Sequence, residues 1–205
     1  DKLKFIPKGI DTEVFRYIPG IRNLFHKLFN IPEGINLLYA GRISKDKNVD
    51  FLIDLHKRLS EKYQDINLIF AGNGPYLKNL KQKAKHLNRV YFLGKIKREK
   101  LPEVYSASDL FLFPSTTDTF GMVVLEAQAC GIPALVTEEG GPKNIILPDE
   151  TGFILSTNEP DAWISKIEEI ISNSNYSEWN LRRQKAIENI KKRFKWEVVI
   201  QSILM

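Results

Sequence analysis

Residues 117–131, TDTFGMVVLEAQACG, place two carboxylates where acids are unusual. Asp118 lies in a short polar turn. Glu126 lies eight positions later, within a nearly all-apolar segment that predicts a buried helix. A buried carboxylate costs several kcal/mol unless another group hydrogen-bonds to it or neutralises it. Each acid is therefore expected to have a specific partner.

The start of this predicted helix, near Phe120 and Gly121, is suited to bind an anion. Its free N–H groups and the positive end of its dipole attract negative charge. Glu126 lies about 8 Å further along the axis, at about 1.5 Å per residue, so a diphosphate at the helix start would place an attached ribose beside it. Carboxylates commonly bind adjacent sugar hydroxyls. Two alternatives stay open and are compatible with this role: Asp118 caps the helix, and Glu126 is a buried acid bound to local backbone or to a lysine.

Two cations follow the first predicted strand, in the segment GRISKDKN. Arg42 offers a planar fork of donors and Lys47 a mobile point charge, so together they would hold an anion such as a phosphate. The alternative is an ordinary polar loop. A dinucleotide-binding fold would carry G-x-G-x-x-G here, and the absence of that motif argues against NAD or FAD binding.

Two further loops carry weaker signals. AGNGP follows the second predicted strand, and its glycines permit a tight turn and a close approach of the backbone to a ligand. FLGKIKRE ends the third strand and continues into basic residues. Neither segment is specific alone, because turns of this kind are common in α/β proteins.

The composition is that of a globular protein that favours an anionic partner, with 205 residues, 27% charged residues and a net charge of +5. Basic residues are mixed with acids and lack the interleaved aromatic residues of nucleic-acid modules, so no nucleic-acid binding is expected. The segment LRRQKAIENIKKRF leaves contact with anionic lipid open, although it lacks a clean amphipathic split. No cofactor and no metal are expected, since His26, His56 and His86 have no partner at ligand spacing.

The expected location is the cytoplasm, with peripheral contact at the inner face of the membrane as an open alternative. The single cysteine, Cys130, excludes an intrachain disulfide and fits a reducing compartment. No signal peptide opens the chain, and no apolar run approaches the roughly 20 residues of a membrane span. The first residues, DKLKFIPKGID, predict a piece of a longer protein.

The elements that would position these residues alternate along the chain from residue 35 onward. The predicted strands are INLLYAG, INLIFAGNGP, RVYFLG, DLFLFPS, IPALVT and TGFIL. The predicted helices between them are VDFLIDLHKRLSEKY, a segment carrying Leu77, Leu80, Ala84 and Leu87, then EKLPEVYSAS and FGMVVLEAQAC. This pattern indicates a doubly wound α/β fold, a parallel sheet with helices on both faces. Three C-terminal helices follow, PDAWISKIEEIIS, YSEWNLRRQKAIENIKKRF and WEVVIQSILM, and residues 1–205 form one predicted domain.

Seven segments, in order along the chain, carry a resemblance to a known family: FIPKGID, YAGRISKDKN, FAGNGP, VYFLG, SDLFLFPSTTDTFGMVVLEAQACGIPALVTEEGGP, TGFIL and FKWEVV. They resemble the C-terminal domain of the retaining glycosyltransferases of family four, which have the two-domain GT-B fold. The resemblance covers essentially the whole chain and implies a Rossmann-like half that binds a nucleotide-diphosphate sugar. The full enzyme would transfer a hexosyl group with retention to a saccharide or lipid acceptor, held by an N-terminal domain that this chain lacks.

The resemblance also assigns roles to residues. Arg42 and Lys47 would bind the diphosphate of the donor, helped by backbone amides at the helix start. These amides are those of Phe120, Gly121, Met122 and Val123. Glu126 would hold the ribose and Asp118 would contact hydroxyls of the transferred sugar, so a change at Asp118 should spare binding of a bare diphosphate. The base would lie against the backbone near Lys95 and Ile96, and the other implied substrate-binding residues are Gly41, Asn73, Gly74 and Thr119.

Two positions depart from the family pattern. The first acid is more often Glu than the Asp118 found here, and Lys8 stands where Asn is more common. Two other activities stay open: a nucleotide-sugar epimerase of the related two-domain fold, and a non-catalytic module that senses a nucleotide sugar. As the donor half alone, the chain is expected to bind donor without transferring it. It is also expected to leave apolar residues of its last helix partly unburied, namely Val198, Val199, Ile203 and Leu204.

Overall fold

The structure is a computed structural model that describes residues 8–172 and 176–204. The first three residues of the predicted segment FIPKGID, and Met205 of the last predicted helix, lie outside the described residues.

Six parallel strands form one sheet in the order β3-β2-β1-β4-β5-β6. The strands are β1 (Ile35–Ala40), β2 (Ile66–Ala71), β3 (Val90–Gly94), β4 (Leu110–Phe113), β5 (Ala134–Thr137) and β6 (Gly152–Leu155). Every predicted strand is present, and the doubly wound α/β fold is confirmed. The order reverses between β1 and β4, which is where ligands bind in open sheets of this kind.

Helices cover the sheet as two contacting groups, α2 with α3 and α6, and α1 with α4, α5 and α7. Their bounds are α1 (Ile21–Phe29), α2 (Val49–Ser60), α3 (Leu77–Ala84), α4 (Leu101–Ser106), α5 (Met122–Ala129), α6 (Pro160–Ser172), α7 (Tyr176–Arg193) and α8 (Trp196–Leu204). Helices α2 and α3 end before the predicted Tyr63 and Leu87, whose N–H groups instead close turns on Leu59 and Ala84.

Helix α1 was not predicted. Its apolar residues nevertheless recur at helical spacing, at positions 21, 24, 25, 28 and 29, and that periodicity was the available signal. A left-handed residue stands at each end of the helix, Gly20 with φ 76° and Asn30 with φ 51°.

The core lies on both faces of the sheet and is rich in aromatic rings. Tyr39 on β1 stacks against Phe113 on β4, with ring centroids 6.2 Å apart, and Trp163 of α6 packs edge-on against Phe51 of α2. Helix α5 is buried along nearly its whole length, as its apolar sequence predicts.

The last helix corrects one expectation. Val199 was expected to be partly unburied, but it is buried, because its turn of α8 packs back onto the domain. The exposed large apolar residues of this helix are Trp196, Ile200, Ile203 and Leu204.

Candidate functional site

A crevice opens at the switch point of the sheet, beyond the carboxyl ends of β1 and β4. The loops that leave these two strands are residues 41–48 and 114–121. A cavity of about 260 Å³ lies against the first of them. Its lining includes six of the predicted site residues: Gly41, Arg42, Asn73, Lys95, Ile96 and Val123. The structure therefore brings together predicted residues that follow β1, β2 and β3 with one from α5.

Gly74, predicted to contact a substrate, faces protein backbone instead of the cavity. A Cβ at this position would lie 2.2 Å from the carbonyl oxygen of Ile43. The Ile43 N–H also donates a 2.9 Å hydrogen bond to the Asn73 carbonyl, so the loops after β1 and β2 pack directly against each other. Gly74 is required for this packing, and its contact with a ligand stays a prediction.

Arg42 lies at the mouth of the cavity with a largely free side chain. Its guanidinium is 3.3 Å from the carboxylate of Asp46, and both side chains are well exposed, at 63% and 44%. Beneath the loop, the buried Tyr39 donates a 2.8 Å hydrogen bond from its hydroxyl to the Arg42 carbonyl. The backbone of Arg42 is thus fixed, while its side chain can turn toward a ligand.

Lys47 reaches across the crevice to Asp118. It ends the short 3₁₀ turn Lys45–Lys47, and its Nζ lies 2.9 Å from Asp118 Oδ2. The two side chains are only 15% and 25% exposed. This ion pair joins the loop after β1 to the loop after β4, over a separation of 71 residues.

Asp118 also hydrogen-bonds to the turn that precedes helix α5. Its Oδ1 accepts hydrogen bonds from the N–H groups of Phe120 at 3.2 Å and Gly121 at 2.7 Å. Partial burial raises the pKa of this carboxyl, but the hydrogen bonds from Lys47 and the two amides outweigh it and leave the pKa below its ordinary value. Phe120 and Gly121 precede Met122, the first residue of α5, and no side chain caps this helix. The capping alternative is therefore not observed, and Asp118 contacts both the cation and the turn before the helix start, which were predicted to hold phosphate.

The helix start keeps two amides available for an anion. In the described part of the chain, the N–H groups of Met122 and Val123 have no acceptor, as expected for the first residues of a helix. Gly121 precedes them with φ 90°, a conformation that favours glycine. A ligand oxygen at this point would meet the helix N-terminus and the Lys47 ammonium together.

The turn that carries Asp118 rests on a second glycine-rich loop, which follows β5. The Gly141 N–H donates a 2.9 Å hydrogen bond to the Asp118 carbonyl. A Cβ on Gly141 would lie 2.0 Å from the carbonyl oxygen of Thr119. No supporting role was predicted for this loop, although its paired glycines in EEGGP are a signal for a close backbone approach.

Glu126 lies inside α5 with a neutral partner. It is 9% exposed, and its Oε2 accepts a 2.9 Å hydrogen bond from the hydroxyl of Tyr105 on α4. Burial raises the pKa of the Glu126 carboxyl, partly offset by the Tyr105 hydrogen bond and the charge of Arg98. The alternative of a backbone or lysine partner was wrong, and Tyr105, which also lines the cavity, was missed.

The histidines do not form a metal site. His26 Nε2 lies 2.9 Å from the Asn36 side-chain amide, and His56 Nε2 lies 3.2 Å from the Ile66 carbonyl oxygen. Burial lowers the pKa of both imidazoles. Within residues 8–172 and 176–204, no group of three or more His, Cys, Asp or Glu side chains could hold a metal ion, and the absence of a metal requirement stays a prediction.

The sheet order, with the N-terminus of α5 at its switch point, defines a doubly wound α/β domain of the kind that binds ligands at this crevice. A sequence profile of the family described as Glycosyl transferases group 1 matches residues 21–193. The chain belongs to this family, which confirms the resemblance.

The relatives include enzymes of different specificity. The chain is 29% identical over 175 residues to the sulfoquinovosyl transferase SQD2 of Arabidopsis thaliana, covering 83% of this chain and 33% of that protein. It is 28% identical over 180 residues to the GDP-mannose-dependent alpha-(1-6)-phosphatidylinositol monomannoside mannosyltransferase of Mycolicibacterium smegmatis, covering 83% and 47%. The chain thus spans less than half the length of either relative.

Solved structures match the whole domain. The C-terminal domain of LpcC, a group 1 glycosyl transferase from Francisella tularensis, is 26% identical with a TM-score of 0.81, and the match covers 92% of this chain and 100% of that one. HepE of Anabaena, solved with UDP and glucose, is similar in fold, with a TM-score of 0.85 and 24% identity over 98% of this chain and 55% of that one. The chain has the fold of the C-terminal half of a GT-B glycosyltransferase.

Proposed function

We propose that this chain binds the nucleotide-diphosphate sugar donor in the crevice between β1 and β4. In the full-length protein, the hexosyl group is then transferred with retention to a saccharide or lipid acceptor. The observation that carries the proposal is the cluster at the switch point, where Lys47, Asp118 and the start of α5 converge, with Arg42 at the mouth.

Each part of the donor has its own partners in the crevice. The diphosphate binds Lys47, Arg42 and the amides of Met122 and Val123, which supply positive charge without a metal ion. The ribose then lies beside Glu126, and the base lies over the cavity floor near Lys95 and Ile96. Asp118 faces the transferred sugar once Lys47 has turned to the phosphates.

Relatives support a nucleotide sugar as the ligand. HepE of Anabaena has been solved with UDP-glucose, and the mannosyltransferase of Mycolicibacterium smegmatis is named as GDP-mannose-dependent. These two donors share a ribose, a diphosphate and a hexose and differ in base and sugar. The polar groups of this crevice are suited to the ribose, diphosphate and hexose that the two donors share.

A calorimetric screen tests the donor site. UDP-glucose, GDP-mannose, UDP and GDP are titrated into the wild-type chain and into Lys47→Ala and Lys45→Ala. Lys45 is exposed, lies in the same 3₁₀ turn and makes no ion pair in the described structure, so it controls for loss of charge. Binding that Lys47→Ala weakens and Lys45→Ala preserves supports the site, whereas no binding of any of the four ligands contradicts it.

The chain alone binds donor without transferring its sugar. Holding two substrates in attack geometry supplies about 7–11 kcal/mol of a typical rate enhancement, and half of a two-domain cleft cannot do so. A second cavity of about 570 Å³ runs from Phe120 to Val198 on α8, next to exposed Ile203 and Leu204. This face is where the other half of the protein would complete the cleft.

A product assay separates transfer from the two other activities. The isolated chain and the full-length protein are incubated with the best donor and with saccharide and lipid acceptors. Glycosylated product from the full-length protein alone supports the proposal. Steady turnover by the isolated chain would refute the half-enzyme assignment, and an epimerised sugar or no product from the full-length protein would refute transfer.

The location is also a proposal: the cytoplasm, with contact at the inner face of the membrane. None of the described helices is long and apolar enough to cross a bilayer. Leu24 and Leu28 of helix α1 are exposed and line a groove together with Lys95, Lys97 and Lys100. Glu103 also lines this groove and pairs with Lys100, which leaves Lys95 and Lys97 beside the apolar residues, and apolar residues beside cations favour an anionic lipid surface. Sedimentation with anionic and with neutral vesicles tests this, because only the anionic vesicles should retain the chain.

A further inference from the structure

Tyr105 lies directly under the crevice and contacts the buried acid. It belongs to α4 (Leu101–Ser106), is buried and is among the residues that line the cavity. Its hydroxyl donates a 2.9 Å hydrogen bond to Glu126 Oε2. The ring itself is held between Phe111 and Phe15, at centroid distances of 5.9 and 6.4 Å.

The hydrogen bond makes the two oxygens of Glu126 unequal. Oε2 is fixed by Tyr105, while Oε1 accepts no hydrogen bond within the described structure and is not among its fully buried unpartnered atoms. A carboxylate can accept bonds at both oxygens. Fixing one of them restricts the rotation of the carboxylate plane and leaves the other for a ligand.

Tyr105 is the one direct partner of Glu126 among the described residues, although other ionisable groups lie near. Arg98 approaches from the turn before α4, and Cys130 lies one helical turn further along α5. Arg183 of α7 is buried close to Cys130. Burial raises the pKa of the Tyr105 phenol well above its ordinary value, so the phenol stays protonated and remains a donor.

We propose that Tyr105 is a positioning residue for the donor: it holds Glu126 Oε2 so that Oε1 faces the ribose hydroxyls. This inference rests on the proposed function, because it requires a ribose in the crevice. Tyr105 lies on a different helix, 21 positions from Glu126 in sequence. It contributes to binding through Glu126 and does not contact the phosphates.

The test uses Tyr105→Phe, which removes one hydroxyl group and keeps the ring. Its binding of UDP, or of GDP if the wild-type chain binds GDP more tightly, should fall about ten-fold at neutral pH, as expected for loss of a hydrogen bond to a charged group. Without its donor the carboxyl is more easily protonated, so the loss should grow as the pH falls from about 8 to about 6. The wild-type affinity is measured over the same range, because the terminal phosphate of the ligand itself titrates near about pH 6, and the variant should lose affinity relative to the wild-type chain as the pH falls.

Two controls separate positioning from a general structural effect. Inorganic pyrophosphate carries the diphosphate charge without a ribose, so Tyr105→Phe should bind it as the wild-type chain does. Tyr91→Phe removes a hydroxyl that makes no hydrogen bond in the described structure and should leave all ligands unaffected. The double variant Tyr105→Phe/Glu126→Gln should bind the nucleoside diphosphate no more weakly than Glu126→Gln alone.

The outcomes distinguish failure of the proposed function from failure of the positioning role of Tyr105. If the wild-type chain binds neither nucleoside diphosphate, the proposed function itself fails. If it binds one of them and Tyr105→Phe shows the same affinity and pH profile, the positioning role is overturned. Equal loss of pyrophosphate and nucleoside diphosphate also overturns it, because the change then acts on the whole crevice. If Tyr105→Phe does not fold, Glu126→Gln must weaken the nucleoside diphosphate and spare pyrophosphate, and any other result overturns the role.

Discussion

Replacing Asp118 by Asn should make the chain bind a bare nucleoside diphosphate more tightly. The substitution keeps the shape of the side chain and the oxygen that accepts from the Phe120 and Gly121 amides. It removes the negative charge that lies 2.9 Å from Lys47 Nζ. Lys47 is then free for the phosphates, and a charge that repels them is gone. The structure thereby changes the sequence-based expectation that a change at Asp118 would spare a bare diphosphate.

The size of the effect follows from the exposure of the pair. A hydrogen bond to a charged group contributes about 1.5–3 kcal/mol, and exposed ion pairs contribute about 0–1 kcal/mol. Lys47 and Asp118 are 15% and 25% exposed, which places the pair between these limits. We expect a gain of about 1–1.5 kcal/mol, or about five- to ten-fold in affinity. The gain should shrink at high salt, because the pair is not fully shielded from ions.

Isothermal titration with UDP and GDP at low and at high salt measures this gain. Asp46→Asn is the matched control: it removes the same charge one residue before Lys47, but from an exposed pair with Arg42 at 3.3 Å. Its effect should stay below about two-fold. Unchanged or weaker binding by Asp118→Asn would refute the reasoning, since Lys47 would then not exchange Asp118 for the diphosphate. A sugar nucleotide should gain less than the bare diphosphate, because its contact with Asp118 is lost.

Three further predictions follow from the same contacts. Arg42→Ala should weaken UDP or GDP binding about ten- to hundred-fold in the calorimetric screen, and wild-type affinity would remove Arg42 from the diphosphate site. Glu126→Gln should raise the unfolding temperature at about pH 8 by about 2–4 °C, for about 1 kcal/mol, with no gain near pH 4. Because the pKa of Glu126 is raised in the folded chain, protonation of its carboxyl adds to the free energy of unfolding. This contribution is fully present below pH 4.5, the ordinary pKa, and is lost as the pH rises through the folded pKa. A higher unfolding temperature for Glu126→Gln at both pH values would contradict this. Gly141→Ala should destabilise the chain by about 1–3 kcal/mol in denaturant unfolding, because its Cβ would lie 2.0 Å from the Thr119 carbonyl oxygen, and an unchanged midpoint would show that the loop relaxes freely.

The sheet was predictable because its strands are short apolar runs, and all of them except β5 are followed by a helical pattern. Leu37–Ala40 and Leu68–Ala71 are buried throughout. Strands that are buried on both faces of a sheet are apolar at every position, and such continuous apolar runs are easy to recognise. Helix α1 was missed although its spacing is regular, since it precedes the first strand and stands outside the alternation. Burial of Val199 was also missed, because it depends on how α8 folds back onto the domain and not on the pattern of α8 itself.

The sequence predicts which loops bring the candidate residues to one crevice, but it does not predict the contacts between their side chains. Arg42 and Lys47 follow β1, and Asp118 follows β4, so the topology alone brings them to one crevice. The ion pair between Lys47 and Asp118 joins residues 71 positions apart, and it depends on the side-chain conformation of a flexible lysine. The hydrogen bond from Tyr105 to Glu126 depends on how α4 packs against α5, which no local pattern encodes.

The two acids of this crevice have opposite environments, and we expect this difference to set the direction in which a donor binds. Asp118 is balanced by Lys47 and two amides, and its pKa is lowered. Glu126 has one neutral donor, and burial raises its pKa. An anion brought to Glu126 would add repulsion to a charge that is already costly to bury, whereas hydroxyl groups would supply the missing hydrogen bonds. An anion at the start of α5 gains Lys47 and the helix amides. We therefore expect a donor to place its diphosphate at the start of α5 and its ribose hydroxyls at Glu126, and not the reverse.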